Sequence, residues 1–168
     1  MQRSRFVPLA AVLVLSVFVA VPVAQRPAPI TSDPVLGTWL LNLSKSTFEG
    51  TAAPGKRTMI FAVVGDAIKH TTTTIPVGVP GVVVAGGNEY IAKYDNADVH
   101  ITGSFLDTVA LKRIDARTVE RTGKVAGKVV ETATRVISAD GRTMTITTKG
   151  NNPTTEMDYS SVQVFDKQ

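Results

Sequence analysis

From Val35 onward the chain alternates hydrophobic and polar residues in short runs, each closed by turn-forming residues. Successive side chains of a strand point to opposite faces, so a period of two predicts strands with one buried and one wet face. The runs are VLGTWLLNL, KRTMIFAVV, AIKHTTTTI, NEYIAKY, DVHITG, DTVALKRI, RTVERTGKV, KVVETATRVIS, RTMTITTK and EMDYSSVQVF. Gly65-Asp66, Asp95-Asn96-Ala97, Asp115-Ala116 and Ala139-Asp140-Gly141 separate neighbouring runs as hairpin turns do, with Asp-Gly the strongest such signal. Beyond residue 34 no window sustains apolar residues at the helical spacing i, i+3, i+4, i+7. The many Thr, Val and Ile residues branch at Cβ, which suits the pleat and resists helix. About eight to ten strands at this spacing predict an all-β sandwich or antiparallel barrel.

Alternation also sorts side chains onto faces. In KVVETATRVIS, Val130, Thr132, Thr134 and Val136 share one side and Glu131 and Arg135 the other. The uncharged side is expected to face inward. In RTMTITTK the inward set is Met144, Ile146 and Thr148. The stretch IPVGVPGVVVAGG, Ile75 to Gly87, breaks the pattern because it is apolar but punctuated by Pro and Gly. Two readings stand side by side: a long exposed hydrophobic loop, or a buried bulged strand at Val82–Val84.

The first residues follow another logic. Arg3 and Arg5 precede an apolar run from Phe6 to Ala24 with no acid. A basic start, an apolar stretch and a small residue at its end describe a secretory signal, with Ala24 the cleavage position. An uncleaved membrane anchor is the rival, but Pro8 and Pro22 trim the helical centre. Gln25 to Pro34 then packs Pro27, Pro29 and Pro34 into a spacer. The expected organisation is a signal helix over 1–24, a Pro-rich linker over 25–34 and one β domain over 35–168, exported to the periplasm or beyond. No membrane span is expected once the leader is cleaved.

Charge and cysteine content narrow the classes. The net charge of +4 falls to +2 without Arg3 and Arg5, and the rest mix signs along the strands. A nucleic-acid partner would call for clustered basic residues, so none is expected. With no cysteine there is no disulfide, lipid-modified cysteine or thiolate metal site.

GTWLLNLSKSTF, EYIAKYD, TVALKRIDARTVE, GKVVETATRVISADGRTMTITTKG and VQVFDKQ occur in an order that resembles a family of exported bacterial proteins. The family is mostly uncharacterised and is described as lipocalin-like. The resemblance spans nearly all of Val35 to Gln168. It implies an antiparallel up-and-down β-barrel and no established reaction. This chain departs from the family at PVGVPGVVVAGG and at DVHITGSFLDT, where the family is more polar. Trp39 is then expected to plug one barrel end, with the following NLSKSTF leaving the barrel. In lipocalin-like folds a late-strand base accompanies such a plug, here Arg135 or Arg142.

Candidate chemistry is sparse. His70 and His100 lack metal-ligand spacing, although Asp98 and His100 would point the same way. Ser104 and Ser138 lie in no nucleophile elbow. Asp95, Asp98, Asp107 and Asp115 sit near turns, where Asp serves the backbone. Nothing calls for a cofactor or an enzyme, and a cavity isomerase or hydrolase stays a minor alternative.

Binding of a small, largely apolar ligand inside the barrel is the leading expectation. Its candidate walls are Met59 and Phe61, Tyr90 and Tyr94, and Val130 and Val136. The second expectation is a filled structural barrel that docks through the 75–87 loop. A His70–carboxylate bond in the cavity would favour the catalytic alternative.

Overall fold

Eleven strands form one antiparallel sheet in the computed structural model, which describes residues 30–78 and 86–168. The leader 1–24, linker residues 25–29 and the 79–85 part of the apolar stretch lie outside the described residues. The strands are β1 Gly37–Leu41, β2 Thr47–Glu49, β3 Lys56–Val64, β4 Ala67–Ile75, β5 Gly86–Ala92 and β6 Val99–His100. They continue as β7 Thr108–Arg113, β8 Thr118–Val125, β9 Lys128–Ile137, β10 Thr143–Asn152 and β11 Met157–Lys167. No helix of the described residues is long and apolar enough to cross a membrane.

Ten strands follow the order β5-β4-β3-β1-β11-β10-β9-β8-β7-β6, and β2 joins β11 beside that path. Neighbours in sequence are neighbours in space except where β1 and β11 bring the two ends of the domain together. The sheet then curls until its edges meet. Glu89 of β5 and Thr102, just past β6, exchange backbone hydrogen bonds of 3.1 and 3.0 Å. Gly103 makes this seam possible. Its φ is +69°, and a Cβ there would stand 2.0 Å from the Gly87 carbonyl oxygen. The result is a nearly closed, lipocalin-like up-and-down barrel, as the alternation and the resemblance led us to expect.

Most strands lie where the pattern places them. Two departures concern edges. DVHITG contributes only a two-residue strand and the seam bridge. The segment after Trp39 leaves the line of β1 but does not leave the barrel. Ser46 Oγ donates to the Asn42 carbonyl at 2.7 Å and accepts from Val164 N–H at 3.0 Å. That turn steers β2 back onto β11, where Glu49 faces Ser160.

One barrel end is closed. Val35, Trp39, Leu41, Met59, Phe61, Ile68, Ile137, Met144 and Phe165 form its apolar core. Trp39 is fully buried, and its indole N–H donates to the Val35 carbonyl at 2.7 Å. Asp33 accepts from Val35 N–H and pairs with Arg113, which ties the 30–36 segment across this end. The base near Trp39 is Lys167, whose Nζ lies 5.1 Å from the ring centroid, rather than Arg135 or Arg142. Lys167 is opposite Trp39 in the β1–β11 register, whereas Arg135 points into the barrel.

Candidate functional site

Beyond that apolar floor the barrel is hollow. A cavity of about 520 Å³ opens at the end formed by the 50–52 and 104–106 loops and the β10–β11 turn. That volume falls within the range of small-molecule sites. Phe105 and Met157, both exposed, stand at the mouth.

The wall is less apolar than the sequence led us to expect. In β9 the inward set is Glu131, Ala133, Arg135 and Ile137, all buried. Val136 is 42% exposed on the outer face, and Val130 packs against an apolar cluster that includes Tyr90, Ile101, Leu106 and Val109 without lining the cavity. The inferred faces of this strand are therefore reversed. Ile137 shows the cause, since it shares a face with both charges and is needed in the core with Met144 and Phe165. A strand has two faces only, so burying Ile137 buries Arg135 and Glu131 with it.

Such burial is tolerated only where the charges find partners. Arg121 of β8 pairs with Glu131, and the Tyr159 hydroxyl donates to the second Glu131 oxygen at 2.7 Å. Burial first, and then the Glu131 charge, push the Tyr159 phenol above its ordinary pKa. Its phenol lies close against Gly150, where a Cβ would meet Tyr159 Cζ and the hydroxyl oxygen at 2.5 Å. Arg57 donates to Thr74 Oγ1 at 3.0 Å and to Gln163 Oε1 at 2.6 Å, and burial lowers its pKa.

Arg135 is different. Only 7% exposed, it donates to the Tyr94 hydroxyl at 3.2 Å and places its guanidinium carbon 4.8 Å from the Phe61 ring centroid. No carboxylate among the described residues bonds it. The cavity wall thus carries Arg57, Arg121 and Arg135 against the single carboxylate of Glu131.

Tyr94 lies beneath the cavity rather than in its wall, between Arg135 and the Arg113 guanidinium, which is 3.9 Å from its ring centroid. Burial, more than any neighbouring charge, raises its pKa to about 12. Met59, Phe61 and Tyr90 do line the cavity. The structure thus brings together three of the six expected wall residues, sets Tyr94 just below them and leaves Val130 and Val136 outside. The sequence reading missed Arg57, Arg121, Glu131, Arg135 and Asn88. For Glu131 and Arg135 the signal was their sharing a β9 face with Ala133 and Ile137; no local pattern in β3, β5 or β8 marked the other three.

His70 also lines the cavity, stacked between Phe61 and Tyr90 at centroid distances of 4.8 and 4.6 Å. Its Nε2 shares a 2.9 Å hydrogen bond with the Thr72 hydroxyl, not with a carboxylate. Burial above all, then the charges of Arg121 and Arg135, hold its pKa well below 6.5, so the ring is neutral. His100 lies away from the cavity with Nδ1 against the Asp107 carbonyl, and Asp98 pairs with Lys124 instead. No group of three or more metal-ligating side chains occurs among the described residues.

Fold and site together define a ligand-sized, cationic cavity in an up-and-down antiparallel barrel. No family model matches the chain. No curated protein matches it either. Among solved structures, it is similar to zebrafish ileal bile acid-binding protein complexed with cholic acid. That similarity is 14% identity over 80% of this chain and 99% of the other, with a TM-score of 0.47.

Proposed function

We propose that this protein is a non-catalytic carrier for a small amphiphile bearing one acidic group. The carrying observation is Arg135, buried in a cavity wall with two guanidinium groups in excess of carboxylate. A buried cation without a counter-charge is costly, and an anion entering the cavity removes that cost. The apolar tail of such a ligand would run along Met59, Phe61, Leu111 and Val119 towards the mouth. This refines the expectation of a largely apolar guest, because an apolar guest would leave Arg135 without a counter-charge. The half-hollow barrel favours a carrier over a filled structural module.

Two observations support a binding rather than a catalytic role. His70 bonds a hydroxyl, and the Ser104 hydroxyl accepts from Leu106 N–H at 3.2 Å with no base bonded to it among the described residues. Export is part of the same proposal and rests on the basic and apolar residues 1–24. N-terminal sequencing of the protein recovered from culture medium or envelope tests it, with a mature start just after Ala24 expected.

Isothermal titration with dodecanoate, dodecanol and dodecylamine tests the ligand class. Dodecanoate should bind at least about tenfold more tightly than dodecanol, and dodecylamine should not bind. Equal affinity for the acid and the alcohol would overturn the reading.

A further inference from the structure

Resting on that reading, we infer that the acid carries a hydroxyl within the first few carbons of its carboxylate, as a 3-hydroxy acid does, and that His70 and Asn88 recognise it. Two buried polar atoms of cavity-lining residues have no hydrogen-bond partner among the described residues: His70 Nδ1 and Asn88 Oδ1. Buried polar groups are nearly always satisfied, so a pair of orphans in one cavity points to a missing guest group.

His70 is only 5% exposed, and the flanking Phe61 and Tyr90 rings fix the plane of its imidazole. The neutral ring holds one proton. Among the described residues the Thr72 hydroxyl bonds only His70 Nε2, so it donates there and the ring proton sits on Nδ1. The opposite tautomer would strand the Thr72 hydrogen as well. His70 therefore offers an unmet N–H donor, while Asn88 offers an unmet carbonyl acceptor.

Asn88 faces Thr72 across β4 and β5, which makes it the diagonal inner-face neighbour of His70. Such neighbours stand about 7–8 Å apart at the backbone, so one oxygen between the two side chains can reach both. A hydroxyl accepts from one and donates to the other. A ketone or ether only accepts, and an ammonium only donates. The distance to the acid follows from Phe61, whose centroid is 4.8 Å from both the His70 ring and the Arg135 guanidinium carbon. The His70 ring and the Arg135 guanidinium thus lie within about 10 Å of each other, which favours a hydroxyl near the carboxylate over one at the chain terminus.

Calorimetric titration of the full chain with dodecanoate, 3-hydroxydodecanoate and 12-hydroxydodecanoate tests this. The 3-hydroxy acid should bind at least about tenfold more tightly than the other two. Asn88→Leu should shrink that advantage below about twofold, read as the ratio of the two affinities within the variant. His70→Phe should do the same, and if it does not fold, Asn88→Leu decides alone. A ¹⁵N shift of His70 Nδ1 with the 3-hydroxy acid, absent with dodecanoate, is the matching spectroscopic signature. Equal binding of dodecanoate and the 3-hydroxy acid would overturn this inference alone and assign the two orphan atoms to water. An advantage that survives in Asn88→Leu, or a 12-hydroxy acid as tight as the 3-hydroxy acid, would also overturn it. Failure of all three acids to bind would overturn the carrier reading itself, and this one with it.

Discussion

The Arg135 guanidinium lies 4.8 Å over the Phe61 ring, and among the described residues its one side-chain hydrogen bond goes to the Tyr94 hydroxyl, at 3.2 Å. Ring and phenol orient the cation without neutralising it. Such an arrangement serves an incoming anion better than it serves the fold. Arg135→Met keeps most of the volume and removes the charge. It should weaken dodecanoate binding by more than about tenfold. The ligand-free protein should meanwhile lose no stability, or gain about 1 kcal/mol, because a poorly compensated buried cation is replaced by an apolar side chain. Titration calorimetry and urea denaturation of the same preparation check both halves. A variant that binds dodecanoate normally but unfolds early would reassign Arg135 to structure.

Glu131 has the opposite role. It is 8% exposed and answers both Arg121 and Tyr159. Glu131→Gln leaves the half-buried Arg121 beside a neutral amide, which should cost about 2 kcal/mol in urea denaturation. The same change adds to the cavity's positive excess, so dodecanoate should bind at least as tightly as before. Replacing the pair together, Arg121→Met with Glu131→Leu, should recover stability to within about 1 kcal/mol of the parent. An unchanged midpoint in Glu131→Gln would mean that water screens the pair as it screens a surface bridge.

Trp39 offers a test of the closed end. Its indole N–H bonds Val35 at 2.7 Å, and the ring is absent from the cavity wall. Trp39→Phe strands the Val35 carbonyl in the core and should cost about 2–4 kcal/mol. As the single tryptophan of the chain, it also reports on its own surroundings. Its emission should be blue-shifted, inaccessible to iodide and unmoved by saturating dodecanoate. Quenching by ligand would place the guest deeper than the cavity floor.

The strands were legible because their signals are local. Branched residues with a period of two, and turns such as Asp140-Gly141, act within a few positions of themselves. The wall of the cavity was not, because the face of β9 is decided by partners on other strands. Glu131 looks like a solvent residue until β8 sets Arg121 against it and β11 brings the Tyr159 hydroxyl. Hydrophobic Val136 could face solvent because Ile137 beside it was needed with Phe165 and Met144. Tyr90 was found from its alternation with Ala92, yet Tyr94 on the same face passes below the floor to meet Arg113 and Arg135.

One buried ring and one half-buried ring shape the pH dependence of the fold. His70 is held neutral in the folded protein, with a pKa well below the ordinary 6.5. Below pH 6.5 the unfolded chain therefore binds a proton that the folded chain refuses, so stability falls as the solution is acidified and is fully present above that pH. The slope from this group approaches about 1.4 kcal/mol per pH unit. Tyr94 acts at the other end. Its folded pKa of about 12 exceeds the ordinary 10.0, so between these values the unfolded chain has lost a proton that the fold retains. Stability should then decline from pH 10 to 12, and Tyr159, shifted in the same direction, adds to the decline. Urea midpoints measured from pH 5 to 12 should show both limbs. His70→Phe should flatten the limb between pH 5 and 6.5, where most carboxylates are already ionised, and Tyr94→Phe should shallow the alkaline one. An acid limb of unchanged slope in His70→Phe would show that the ring already carries its proton inside the barrel.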